Sequence, residues 1–212
     1  MRVANGPKSD SIPSASRRRG RRADATRNQA RVLAAARRLV ETRGAAGATM
    51  DEIAAEAGVG KGTVYRAFGG RGRLAEALVD EAERELQARV LGGPPPLGPG
   101  GDAAPVARLR AFAEAYLRFL ERHGDLLAEV DYHLPGGRFA TGAYGFWRVH
   151  VANLVEAAGG GRPRLMADFV LALLAADLYV HLRHEVGASA ATLRRQAAEA
   201  VVNLVECRPA SS

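Results

Sequence analysis

One spacing constrains this chain more than any other. Ala54 is followed by Gly58 four residues later and by Val64 six residues after that, within "DEIAAEAGVGKGTVYRAF", residues 51–68. Ala54 is small where two helices must cross closely. Gly58 stands where a tight turn needs a positive φ, which glycine adopts without a Cβ penalty. Val59 and Val64 fill the angle. The stretch therefore predicts two short helices, about 50–57 and 61–68, bent about a three-residue turn, as in a helix-turn-helix. That motif offers its second helix to the major groove of DNA and lays its first across the backbone.

The polar residues suit the pose. Thr49 has Glu52 three residues on, a capping-box arrangement, so the start of the first helix faces a phosphate with free N–H groups and a positive dipole end. Lys61 and Thr63 stand at the exposed N-terminal end of the second helix, within reach of base edges. Glycines at 60 and 62 let the backbone approach DNA. Tyr65 and Arg66 reach phosphates on either side, and Arg71 does so from the start of the next helix.

Residues 31–79, "RVLAAARRLVETRGAAGATMDEIAAEAGVGKGTVYRAFGGRGRLAEALV", resemble the TetR family of bacterial transcriptional regulators. The pattern T-x-x-x-I-A-x-x-A-G-V-x-x-G-T-x-Y-x-x-F-x-x-[KR]-x-x-L is nearly complete and covers about a quarter of the chain. The resemblance implies that Thr49, Lys61, Gly62, Thr63, Tyr65 and Arg71 contact DNA. Gly60 stands where the family commonly has Ser, and Ala67 where it has His or Tyr. Both departures remove polar contacts, so the operator does not follow from better-known members.

Elsewhere the chain reads as all-α, with about nine helices and no strand alternation. Residues 1–23 are Ser, Pro, Gly and Arg with little to bury, and predict a disordered basic arm containing "RRRGRR", 17–22. The DNA-binding domain takes 24–90. "GGPPPLGPGG", 92–101, excludes helix and central strand, which sets a linker over 91–103. A second domain, 104–208, opens with the stripe Val106, Leu109, Phe112, Ala113, Tyr116, Leu117 and Leu120. "GDLLAEVDYHL" reads as a separate, shorter helix. Residues 163–187 read as a helix apolar nearly all round in its middle.

Charge divides along the same line. Residues 1–89 hold 18 Arg/Lys and 11 Asp/Glu, whereas 90–212 hold 12 of each. An anionic partner for the first half follows. Cys207 is the only cysteine, which excludes an intrachain disulfide framework. The basic N-terminus lacks the apolar run of a signal peptide. The apolar run 169–180 is too short for a bilayer and carries Asp177, so a cytoplasmic protein without membrane contact is expected. There is no nucleophile elbow, phosphate loop or zinc helix, so neither an enzyme nor a cofactor is expected. His181 and His184 in "HLRHE" are three apart rather than four, and read as a polar helix end rather than a metal site.

Two functions remain. One is a homodimeric regulator, most simply a repressor, on a palindromic operator in double-stranded DNA, since a two-fold dimer reads two half-sites. Its dimer surface would come from the apolar helices at 163–187 and 189–206, with Phe169, Leu173, Ala176, Val201 and Leu204 as candidates. The resemblance implies a small-molecule effector between the helices at 104–160. Phe112, Tyr116, Tyr132, His133, Tyr144, Trp147 and His150 are candidate lining for a pocket of apolar walls with polar handles. The alternative is an architectural DNA binder, which keeps the charge but needs neither pocket nor sequence preference.

Overall fold

The computed structural model describes residues 15–45, 47–133 and 137–206. Among them are nine α-helices and no strand: α1 (Ala15–Arg43), α2 (Met50–Glu56), α3 (Lys61–Phe68), α4 (Arg71–Gly92), α5 (Pro105–His133), α6 (Gly142–Ala157), α7 (Pro163–Leu173), α8 (Ala176–His184) and α9 (Ala190–Glu206), with a 3₁₀ turn at Gly137–Ala140. The all-α expectation holds.

α1, α2 and α3 pack mutually, and α1 and α3 also touch α4. Val32, Ala35 and Ala36 of α1, Ile53 and Ala54 of α2, Val64 and Phe68 of α3, and Leu74 of α4 are buried at their junction. Ion pairs rim this unit: Arg38 to Glu56 at 3.0 Å, Arg43 to Glu52 at 3.0 Å, and Arg37 to Glu81 and Glu85 of α4. α4 continues past the unit and packs along α5, which also carries α6, α8 and α9 around it. One helix therefore belongs to both halves.

The structure departs from the sequence reading at three elements. α1 begins at Ala15, so residues 15–23 are helical rather than a disordered arm. The lack of apolar residues there said little about helicity, because Ala and Arg are among the best helix formers. Second, α5 runs unbroken through Gly124. A Cβ there would lie 3.2 Å from the Tyr179 ring, so this glycine serves a close approach of α8 rather than a helix end.

Third, the apolar segment at 163–187 is two helices. Leu174, Ala175 and Ala176 are all buried where the two pieces join. The chain breaks at Leu174 and Ala175 (ψ 142° at Ala175) and restarts as α8. By length and composition Pro163–His184 could cross a bilayer, with a mean hydropathy of 1.8 over its most apolar window. The break interrupts the continuous hydrogen bonding that a spanning helix needs.

Candidate nucleic-acid interface and the cavity behind it

α3 has two unlike faces. Val64 and Phe68 are buried, while Lys61, Gly62, Tyr65 and Arg66 are exposed and Thr63 is half-buried. Gly69 at φ 75° ends the helix. The bend before it is built as the spacing requires. Gly58 has φ +61°, and a Cβ there would sit 3.0 Å from the Arg31 guanidinium. That guanidinium donates to the Ala57 carbonyl at 2.7 Å and the Gly58 carbonyl at 3.2 Å, which ties α1 to the turn.

The glycines at 60 and 62 differ in kind from Gly58. A Cβ at Gly60 would meet nothing within 4 Å, and one at Gly62 only the Arg66 side chain at 4.0 Å. Gly60 has φ −69° and ψ 147°, which any residue adopts. Gly62 lies inside a helix, where glycine costs about 1 kcal/mol against alanine. Neither packing nor backbone geometry within the chain asks for glycine at these two positions. The room lies outside the fold, on the exposed side of α3.

The polar groups beside this space are partly engaged. Lys61 Nζ lies 2.7 Å from Asp51 Oδ1 on α2, and this bond raises the Lys61 pKa. Arg66 Nη2 donates to Thr63 Oγ1 at 3.1 Å. Thr49 forms the full capping box: its N–H and O–H both donate to Glu52 Oε2, at 3.0 and 2.8 Å, and its oxygen accepts from the Glu52 N–H. A phosphate at this helix start would have to displace Glu52. Tyr65 is 43% exposed.

Arg71 is engaged within the chain. Nη1 donates to the Ala48 carbonyl at 2.7 Å and Nη2 to the Ala45 carbonyl at 2.6 Å. The connection between α1 and α2 leaves these carbonyls outside any helix, and the planar guanidinium fork spans both. Arg71 holds that connection in place rather than offering a free cation.

A profile of the bacterial regulatory proteins of the tetR family matches residues 32–78, which are α1 from Val32 through the start of α4. Residues 32–78 are a TetR-family helix-turn-helix domain. The HTH-type transcriptional repressor DrrR1 of Streptomyces coeruleorubidus is 30% identical over 178 residues, covering 83% of this chain and 57% of that protein. The chain thus spans a little over half the length of this curated relative. Among solved structures, a TetR-family transcriptional regulator of Pectobacterium atrosepticum has a TM-score of 0.62 at 22% identity, covering 89% of this chain and 99% of that one. The multidrug binding protein EbrR complexed with ethidium has a TM-score of 0.58 at 22% identity, covering 84% and 97%. These likenesses extend the TetR-like fold over the C-terminal helices.

Behind the TetR-family domain, α4, α5, α6 and the α7–α8 break line a partly open cavity of about 610 Å³. Of the candidate lining residues, Tyr116, Tyr144 and Trp147 border it. Phe112 and His150 do not. They pack behind the lining rings, with the Phe112 centroid 5.6 Å from Trp147 and 5.1 Å from His150. Burial lowers the His150 pKa to about 4, and its Nε2 is buried without a partner. The side chains of Tyr132 and His133 lie outside the described residues, as does Cys207.

The sequence reading missed the acids on the cavity wall: Glu76, Asp80 and Glu83 from α4, and Asp131 from α5. Glu83 is buried, and Trp147 Nε1 donates to its Oε1 at 3.5 Å. Burial pushes the Glu83 carboxyl up to about 7 and the Asp131 carboxyl up to about 6. A signal for Glu83 was present. It falls between Val79 and Leu86 on the apolar stripe of α4, where a core-facing helix would carry a hydrophobe.

The proposed dimer residues divide. Phe169 and Leu173 are 51% and 38% exposed, and Leu204 is half-buried. Ala176 and Val201 are 3% and 0% exposed and belong to the core of the chain itself, so they present no surface. The break at 174–175 turns Ala176 inward, and Val201 on α9 joins the same core cluster. With Leu165, 44% exposed, the outward apolar residues form a stripe along α7.

Proposed function

We propose that this chain is a transcriptional regulator that binds DNA as a homodimer and is released by a small molecule held in the cavity. The observation that carries the DNA half is the outward face of α3. Its glycines keep open a space the fold does not use, beside Lys61, Tyr65 and Arg66. A backbone brought close to the groove is what such a space suits. The excess positive charge of residues 1–89 favours the same partner. The printed role of DrrR1 as a repressor supports repression here, and a DNA-reading role implies the cytoplasm.

Homodimerisation rests on Leu165, Phe169 and Leu173, which would lie against a second copy with Leu204 nearby. The effector half rests on the cavity, and EbrR with ethidium is a fold neighbour seen with a small molecule. Glu83 and Trp147 join α4 to α6 across the cavity, and α4 leads directly to α3. A ligand that parts the two helices would therefore tilt α4 and shift α3. It acts only through its differential affinity for the two states.

The test is selection of duplexes from a random pool, followed by titration against salt. A two-fold palindrome bound at least ~10³-fold better than random DNA is expected. Tight, strongly salt-dependent binding with no enriched motif would favour the architectural reading.

A further inference from the structure

We propose that the cavity takes a lipophilic organic cation, its positive charge held against Glu83 and its apolar body against Tyr116, Tyr144 and Trp147. This rests on the effector reading above and names the class of effector.

Among the described residues, Glu83 is the only buried charged side chain, and no Lys or Arg pairs with it. Its one hydrogen bond, from Trp147, is long at 3.5 Å. A carboxylate in that position is costly unless a counter-charge is supplied. The chain has cations nearby but uses them elsewhere. Of the two arginines on the cavity wall, Arg84 pairs with Asp80 at 3.4 Å and Arg138 with Asp177 at 3.6 Å. Glu76, Glu83 and Asp131 remain without an ion pair among the described residues, so the wall carries an excess of negative charge.

The rest of the wall suits the body of such a ligand. Trp147 meets Tyr116 and Phe146 edge to face, at 5.6 and 4.9 Å between centroids, and aromatic faces attract cations within about 6 Å. A volume of about 610 Å³ matches a drug-sized molecule. A neutral ligand would leave Glu83 without a counter-charge, and an anion would oppose it. The raised Glu83 pKa follows from the same isolation. A bound cation would draw the group into its ionised form and release a proton.

Calorimetry on the full chain can decide this with three probes of similar shape: tetraphenylphosphonium, neutral triphenylphosphine oxide and anionic tetraphenylborate. Rhodamine 6G adds a planar cation, read by fluorescence anisotropy. At least one cation is expected to bind about ten-fold or more tighter than the neutral and anionic probes, and to bind more tightly at pH 8 than at pH 6. Glu83→Gln should lower cation affinity about ten-fold and change that of the neutral probe by less than about two-fold. Glu76, Asp80, Asp131, Arg84 and Arg138 face the same pocket, and burial raises Asp131 as it does Glu83, so the variant is what assigns the pH effect to Glu83. If Glu83→Gln fails to fold, the comparison of cationic, neutral and anionic probes on the unaltered protein decides.

Equal binding of neutral and cationic probes, or cation affinity indifferent to Glu83 and to pH, overturns the proposal. Should the neutral probe bind and weaken DNA binding while the cations do not, the effector reading stands and only the cation inference falls. If no probe of any charge binds, both fall.

Discussion

Lys61, the first residue of α3, holds its ammonium group 2.7 Å from Oδ1 of Asp51 on α2. The cation proposed to enter the groove thus already has an anionic partner inside the protein. Both side chains are well exposed, so the bond is readily exchanged for one to DNA. Asp51→Asn should tighten binding to every duplex by a few-fold and steepen its salt dependence. Lys61→Ala should relax preference at particular base pairs. Equilibrium titrations at several salt concentrations check both. If Lys61→Ala weakened all sequences equally, its role would be phosphate contact.

The glycines separate stability from DNA affinity. Gly62→Ala should raise helix stability by up to about 1 kcal/mol and weaken DNA binding, because the new methyl enters the space outside α3. Gly58→Ala should destabilise the domain by about 1 kcal/mol or more, since its φ is +61° and Arg31 stands close. Urea unfolding beside DNA titration distinguishes them.

Arg71→Ala should act through the fold. It removes the guanidinium donor from the Ala45 and Ala48 carbonyls, of which Ala45 keeps the Ala48 N–H, and should cost about 1–2 kcal/mol in denaturant unfolding. Tyr65→Phe removes only an exposed hydroxyl. It should leave stability unchanged while weakening DNA binding.

α7 gives a test of assembly. Leu173→Asp should yield monomers by sedimentation, because it places a charge in the exposed stripe with Leu165 and Phe169. The matching change at Val201 would instead unfold the chain, since that side chain is fully buried.

Glu83 makes stability fall as pH rises. Its folded pKa is about 7 against an ordinary 4.5, so between those values the folded state binds the extra proton and loses that advantage on titration. Asp131, raised to about 6, acts in the same direction. His150, lowered to about 4, acts oppositely below its ordinary 6.5. Glu83→Gln should therefore be more stable than the unaltered protein by roughly 3 kcal/mol at pH 8. That gain should vanish at pH 4, as denaturant unfolding at the two values can show.

The helix-turn-helix was legible because its sterics are local. Ala54, Gly58 and Val64 act on neighbours within a dozen residues, and each is found where that spacing requires. The tether made by Arg71 was not legible because its partners, Ala45 and Ala48, are carbonyls more than twenty residues away, and no side-chain pattern marks a loop carbonyl. Tyr116, Tyr144 and Trp147 were found as aromatic residues with polar handles. Phe112 and His150 share that chemistry and were indistinguishable until packing put them behind the wall. Glu83 was overlooked because the stripe was read from its apolar members alone, and the sequence does not show which position on it faces a pocket.

The inward and outward positions of α3 are almost wholly separate. Val64 and Phe68 anchor the helix, while positions 60, 61, 62, 65 and 66 take little or no part in the core. The outward set can therefore be rewritten without asking the fold for permission. Under the proposed DNA-reading role, a lineage carrying this domain, or an engineer grafting it, could exchange one target sequence for another by changing surface residues alone, with the cavity and its acids left as they are.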